Sequence, residues 1–115
     1  MPKVYAVDFD GYLCKEAFPD IGPPIMHRIE HFIKLRAAGN QLILWTCREE
    51  HLLWQAVVWC ENYGLEFDAV NANLPDRIAQ YGTDPRKVGA DYYCDDKNYT
   101  EAHEAMDDII LKGSV

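Results

Sequence analysis

The chain has 115 residues, of which 49% are hydrophobic and 12% aromatic, and carries a formal charge of −8. Such a length supports one domain with its own core, and such a composition excludes a disordered chain. The acidic excess argues against nucleic acid and anionic membranes as partners, and no apolar run reaches the roughly 20 residues that span a bilayer.

At the N-terminus, Val4-Tyr5-Ala6-Val7-Asp8-Phe9 is a short, mostly apolar run that reads as a strand buried on both faces. An acid follows it at once, so the segment does not resemble a signal peptide. Cys14, Cys47, Cys60 and Cys94 are spaced widely, with no C-x-x-C pair. That spacing gives no zinc or redox signature, and it predicts a reduced, cytoplasmic protein in which Cys60 and Cys94 pack in the core.

Residues 11–24 form a loop punctuated by Gly11, Pro19, Gly22, Pro23 and Pro24. The two prolines suit the start of a helix whose inner face carries Ile25, Ile29, Phe32 and Arg36, with Ile33 beside it. His27 and His31 fall on the opposite, solvent side of that helix. This excludes the metalloprotease reading of His27-Arg28-Ile29-Glu30-His31. Gly39-Asn40 ends the helix, and residues 41–45 form a second strand followed by Thr46. A second helix begins near Glu49 and Glu50, with Leu52, Leu53, Ala56, Cys60 and Tyr63 inward. Residues 67–71 read as a third strand, residues 75–81 as a short helix, and residues 90–94 as a fourth strand ending at Asp95-Asp96. Thr100 suits the cap of a final helix through Leu111, with Ala102, Met106, Ile109 and Ile110 inward. Trp45, Trp54 and Trp59 are expected between helices and sheet. The alternation predicts a single α/β domain over residues 1–115, with one Rossmann-like parallel sheet and helices on both faces.

In such a sheet, ligands bind outside the C-terminal ends of the strands. Asp8 and Asp10 sit at the end of the first strand, Asp95 and Asp96 at the end of the fourth. Carboxylates brought that close repel one another unless a cation lies among them, and oxygen donors suit Mg²⁺. Asp8 and Asp10, two apart on a strand, address the same ligand, and Gly11 lets the backbone turn away behind them. One carboxylate is then placed as nucleophile and the second as acid and base. Thr46, at the end of the second strand, offers a hydroxyl to a phosphate oxygen.

Asp8-Phe9-Asp10-Gly11-Tyr12-Leu13 resembles the first motif of the haloacid dehalogenase-like superfamily. Trp45-Thr46 is similar to its second motif and Tyr92-Tyr93-Cys94-Asp95-Asp96 to its acidic fourth motif, all in the same order along nearly the whole chain. The resemblance implies a Mg²⁺-dependent phosphatase in which Asp8 is phosphorylated and Asp10 is the general acid and base. Asp8, Asp10 and Asp95 then hold the metal, with Asp96 as a further contact. Gly11 and Thr46 fall in the phosphate-binding positions. Tyr12 stands where the family usually has Thr.

The family's third motif is a Lys or Arg that steadies the phosphate. Arg48, two residues after Thr46, is the first candidate, followed by Lys97 and Lys87. An extended path from Lys87 to Asp95 covers about 26 Å, so Lys87 needs a bend near Val88-Gly89 to reach the site. A non-enzymatic module that binds a metal or phosphate is the alternative. A receiver-like phosphoacceptor domain is a lesser one, because Val70-Asn71 ends the third strand without the Asp that such a domain requires. Residues 11–45 and 47–94 are used up by the predicted elements, so neither stretch holds a cap domain. The site is therefore expected to be open to a phosphorylated substrate, or lidded by a second copy in a homo-oligomer.

Overall fold

The apolar run at the N-terminus becomes an inner strand. The computed structural model describes residues 2–72, 74, 89–95, 103, 104, 106, 107, 110 and 111. Within them lie β1 (Val4–Val7), α1 (Met26–Ala37), β2 (Gln41–Leu44), α2 (Glu50–Asn62), β3 (Ala69–Val70) and β4 (Tyr92–Cys94). The strands form one sheet in the order β3-β2-β1-β4, and every pairing is parallel. This is the expected Rossmann-like α/β architecture. No helix among the described residues is long and apolar enough to cross a membrane.

Strand alternation divides the core in two. Tyr5, Val7, Leu42, Leu44 and Cys94 pack with Ile29, Phe32 and Leu35 of α1 and Ala56 and Cys60 of α2. Val4, Ala6 and Ile43 occupy the other face with Leu74. The described helices thus pack on the first face. A helix on the second face was expected over residues 75–81, which lie outside the described residues, as do Lys87, Asp96, Lys97, Thr100, Ala102 and Ile109.

The strands are short because polar side chains take over where the ladder stops. At their N-terminal ends, Asp91 Oδ2 accepts from Val4 N–H at 2.7 Å, Asn40 Oδ1 from Lys3 N–H at 2.9 Å, and Asp68 Oδ2 from Leu42 N–H at 2.8 Å. The third strand was expected over residues 67–71 and covers Ala69–Val70 only, although Asp68 N–H and Asn71 N–H still donate to Leu42 O and Leu44 O of β2. The first was expected to reach Phe9. Instead Phe9 O turns to accept from Tyr12 N–H and Leu13 N–H, which starts the loop.

Several side chains lie opposite to expectation. His31 is 5% exposed rather than solvated, packed edge-on to Phe32. The helical residues between 103 and 111 reverse their expected face: Met106 is 63% exposed, whereas Glu104 and Asp107 are buried. The reason is polar pairing. Tyr5 Oη donates to Asp107 Oδ2 at 3.0 Å, and Glu104 lies 3.9 Å from Arg28 Nε on α1. That segment sits against Arg28 of α1. Trp54 and Trp45 are exposed, not sandwiched. Trp59 is half-buried, edge-on to Phe9. Along α2, Ala56 and Cys60 are buried as expected, but Tyr63 is exposed.

Residues 11–24 fold back on themselves. Lys15 N–H donates to Pro23 O and Ile25 N–H to Leu13 O, so the two arms of the loop run side by side. At the pinch, a Cβ on Gly22 would stand 2.1 Å from Lys15 O, an approach that only glycine permits. Gly22→Ala is expected to lower stability by about 1–3 kcal/mol through this backbone clash, measured as a fall in the urea midpoint at unchanged slope.

Burial also sets a pH limit. Desolvation pushes the Cys60 thiol up to about 12 and the Cys94 thiol and Tyr5 phenol upward, the last helped by the Asp107 carboxylate. All three stay protonated in the fold, while the unfolded chain releases its thiol and phenol protons from about pH 8.5 to 10. The unfolded state then holds fewer protons, so stability is complete at neutral pH and falls as pH rises through that window. Urea midpoints at pH 7.5, 9 and 10.5 should decline in that order; a constant midpoint would contradict this.

Candidate functional site

Parallel register brings the strand ends to one edge. The ladder runs one residue beyond three of the strands: Asp8 N–H donates to Cys94 O, Trp45 N–H to Val7 O and Asn71 N–H to Leu44 O, at 2.7–3.0 Å. Asp8, Thr46 and Asp95 consequently border one cavity of about 310 Å³, together with Ala6, Trp45, Cys47, Tyr93 and Cys94. The convergence of acids from the first and fourth strands, expected from spacing, is present for Asp8 and Asp95.

Asp8 Oδ1 accepts from Phe9 N–H at 2.8 Å, which fixes the carboxylate over the strand end. Gly11 follows with φ +77°, a left-handed turn that takes the chain away from the cavity. Thr46 is held from both sides. Its N–H donates to Asn71 Oδ1 at 2.8 Å, and its Oγ1 accepts from Arg48 N–H at 3.2 Å. The hydroxyl hydrogen is then available to an oxygen in the cavity. Asn71 was not anticipated as a site residue. Its signal was its place at the same sheet edge, and it adopts φ +48°, a region Asn tolerates.

Arg48 departs from its expected role. Its side chain has no exposed surface, and its guanidinium faces Asp10 rather than the cavity. Nε donates to Asp10 Oδ2 at 2.9 Å and Nη2 to Asp10 Oδ1 at 2.8 Å, a bidentate pair. Nη1 donates to Pro19 O and Nη2 also to Asp20 O. With its donors committed in this way, Arg48 steadies Asp10 and the loop instead of a phosphate. The Asp10 bond also raises the pKa of the guanidinium, so it stays charged. Lys87 and Lys97, the other candidate phosphate cations, lie outside the described residues.

The donors fit Mg²⁺ in part. Asp8 and Asp95 present hard oxygens to one space, and this ion commonly takes one or two carboxylates and completes its shell with water and phosphate oxygens. Asp10, expected to address the same ligand as Asp8, does not line this cavity, because both of its carboxylate oxygens face Arg48. Among the described residues no group of three or more His, Cys, Asp or Glu side chains is placed to hold a metal, and Asp96 lies outside them.

No family model matches the chain, and no curated protein matches it. Among solved structures it is similar to a conserved protein from Bacteroides thetaiotaomicron, with a TM-score of 0.80 and 34% identity over 100% of this chain and 93% of that one. The chain belongs to the same family as that protein.

Removing Arg48 leaves a carboxylate without its partner and frees two loop carbonyls. Arg48→Ala is expected to cost about 3 kcal/mol, and Arg48→Lys to recover only part of it because an ammonium cannot form the fork. Equilibrium urea unfolding of the three proteins checks this.

Proposed function

We propose that this family member is a Mg²⁺-dependent phosphatase of the haloacid dehalogenase-like kind, working through an aspartyl-phosphate on Asp8. One observation carries the reading: Asp8, Thr46 and Asp95 come from three separate strand ends into one cavity, while Asp10, two residues after Asp8, is held by Arg48.

In this reading a carboxylate oxygen of Asp8 attacks phosphorus and the ester P–O bond breaks. Asp10 gives its proton to the departing alcohol oxygen. Water then attacks the phosphorus of the aspartyl-phosphate, Asp10 takes the proton, and the P–O bond to Asp8 breaks to release phosphate. Both Asp10 oxygens accept from Arg48, but each keeps a second lone pair on which a proton can reside. Thr46 donates to a non-bridging oxygen of the phosphate. Asp8 and Asp95, with the Asp10 carbonyl, would hold Mg²⁺, which would supply positive charge against the acids and the phosphate. Residues 11–45 are accounted for by the loop, α1 and β2, which supports an open site at that side of the cavity.

A second reading, a module that binds a metal or phosphate without turnover, is favoured by the same Arg48 fork, which engages both oxygens of the proposed acid.

Turnover separates the two. Release of phosphate from an aryl phosphate by the wild-type chain should require Mg²⁺. Asp8→Asn should reduce it to background while the circular dichroism spectrum is kept. Asp95→Asn should raise the Mg²⁺ midpoint about tenfold or more. Full activity in Asp8→Asn, in a preparation cleared of contaminating phosphatase, would end the nucleophile assignment.

A further inference from the structure

The cavity has walls that the chemistry at Asp8 does not require. Ala6, the smallest side chain of β1, lies in register with Tyr93 on one side and Ile43 on the other. It forms the floor between Trp45, which follows β2, and Tyr93 of β4, and all three line the same space as Asp8, Thr46 and Asp95. Trp45 is 39% exposed and Tyr93 36%, so each residue keeps part of its surface open to solvent beside the acids.

The spacing suits a third ring. β2 and β4 flank β1, and Trp45 is level with Asp8 while Tyr93 is level with Ala6, two residues back, so the two backbones are roughly 12 Å apart. Stacked aromatic rings have centroids roughly 4.5–7 Å apart, so a ring inserted between two others needs roughly 9–14 Å from one neighbour to the next. The volume of about 310 Å³ lies at the small end of ligand pockets, enough for one ring system with its phosphate. The net charge of −8 disfavours a polynucleotide.

We infer that the slot between Trp45 and Tyr93, floored by Ala6, is the subsite for the alcohol half of the substrate, and that it takes a phosphate monoester whose alcohol carries a planar aromatic ring. The inference rests on the phosphatase reading, which sets the phosphate end at Asp8, Thr46 and Asp95. A nucleoside and a simple aryl group share this chemistry.

The test has two arms. The first compares kcat/KM for phenyl phosphate, adenosine 5′-monophosphate and methyl phosphate, with Mg²⁺, in the wild type, Trp45→Ala, Trp45→Leu and Tyr93→Ala. The wild type should prefer at least one ring-bearing ester, and which one separates an aryl from a nucleoside substrate. The ratio of that ester to methyl phosphate should fall about tenfold in Trp45→Ala, and also in Trp45→Leu, which keeps apolar bulk without the ring. The second arm needs no turnover: calorimetric titration with phenylphosphonate and methylphosphonate. The wild type should bind the phenyl compound about tenfold more tightly, and Trp45→Leu should bind the two alike. If no ester is hydrolysed while this binding difference holds, the phosphatase reading falls and the aromatic subsite stands. If esters are hydrolysed but the ring-to-methyl ratio is the same in every variant, the subsite is overturned and the phosphatase reading stands. Equal binding of both phosphonates by the wild type also overturns the subsite.

Discussion

A buried fork between Arg48 and Asp10 ties the functional edge of the molecule together. One guanidinium reaches across three segments: the carboxylate just beyond β1, the carbonyls of Pro19 and Asp20, and its own loop between β2 and α2. Burying a charge of this kind is costly unless nearly every donor is met, and here the donors are met by one carboxylate and two carbonyls. Phe9 and Phe18 flank the guanidinium at 5.2 Å, which excludes water from it. Any movement of loop 11–24 is therefore a movement of Asp10.

Around this fork, the sheet supplies position and the loops supply chemistry. Three parallel strands end at one level, each extended by one hydrogen bond, so Asp8, Trp45 and Asn71 emerge in fixed relation. Asn71 then passes that order to Thr46, and Thr46 to Arg48, through side chain–backbone bonds. Rigidity comes from backbone pairing, and the polar side chains at the strand ends point into a site that the pairing has already aligned.

Elements with strong periodicity were legible in the sequence. The buried run of β1, the helical spacing of Ile29 and Phe32, and the acids at the ends of the first and fourth strands predicted the parallel sheet and the meeting of Asp8 with Asp95. The errors share a cause. Arg48 lies near Thr46 in sequence, but its fork needs a carboxylate from elsewhere in the fold, and sequence spacing does not show that Asp10 is in reach. Hydrophobicity around an isolated helix puts His31 outward and Met106 inward. A neighbouring segment that brings Glu104 against Arg28 and Asp107 against Tyr5 reverses that rule, because a paired carboxylate can be buried where a lone one cannot. The exposed Trp45 and Trp54 follow from the same blindness to what each face meets.

The opposite end of the sheet bears on how so few strand residues hold one alignment. Asn40, Asp68 and Asp91 each accept from the backbone N–H at or near the start of a strand, while the three C-terminal bonds close the other end. A strand of two to four residues has little ladder of its own to resist sliding. Here a slip by one residue would turn every core side chain to the wrong face and would also strip three carboxylate or amide oxygens of their partners. The sheet behaves as a keyed joint, secured at both ends against shear, so the spacing between Asp8 and Asp95 is protected from the N-terminal ends of the strands as much as from the cavity itself.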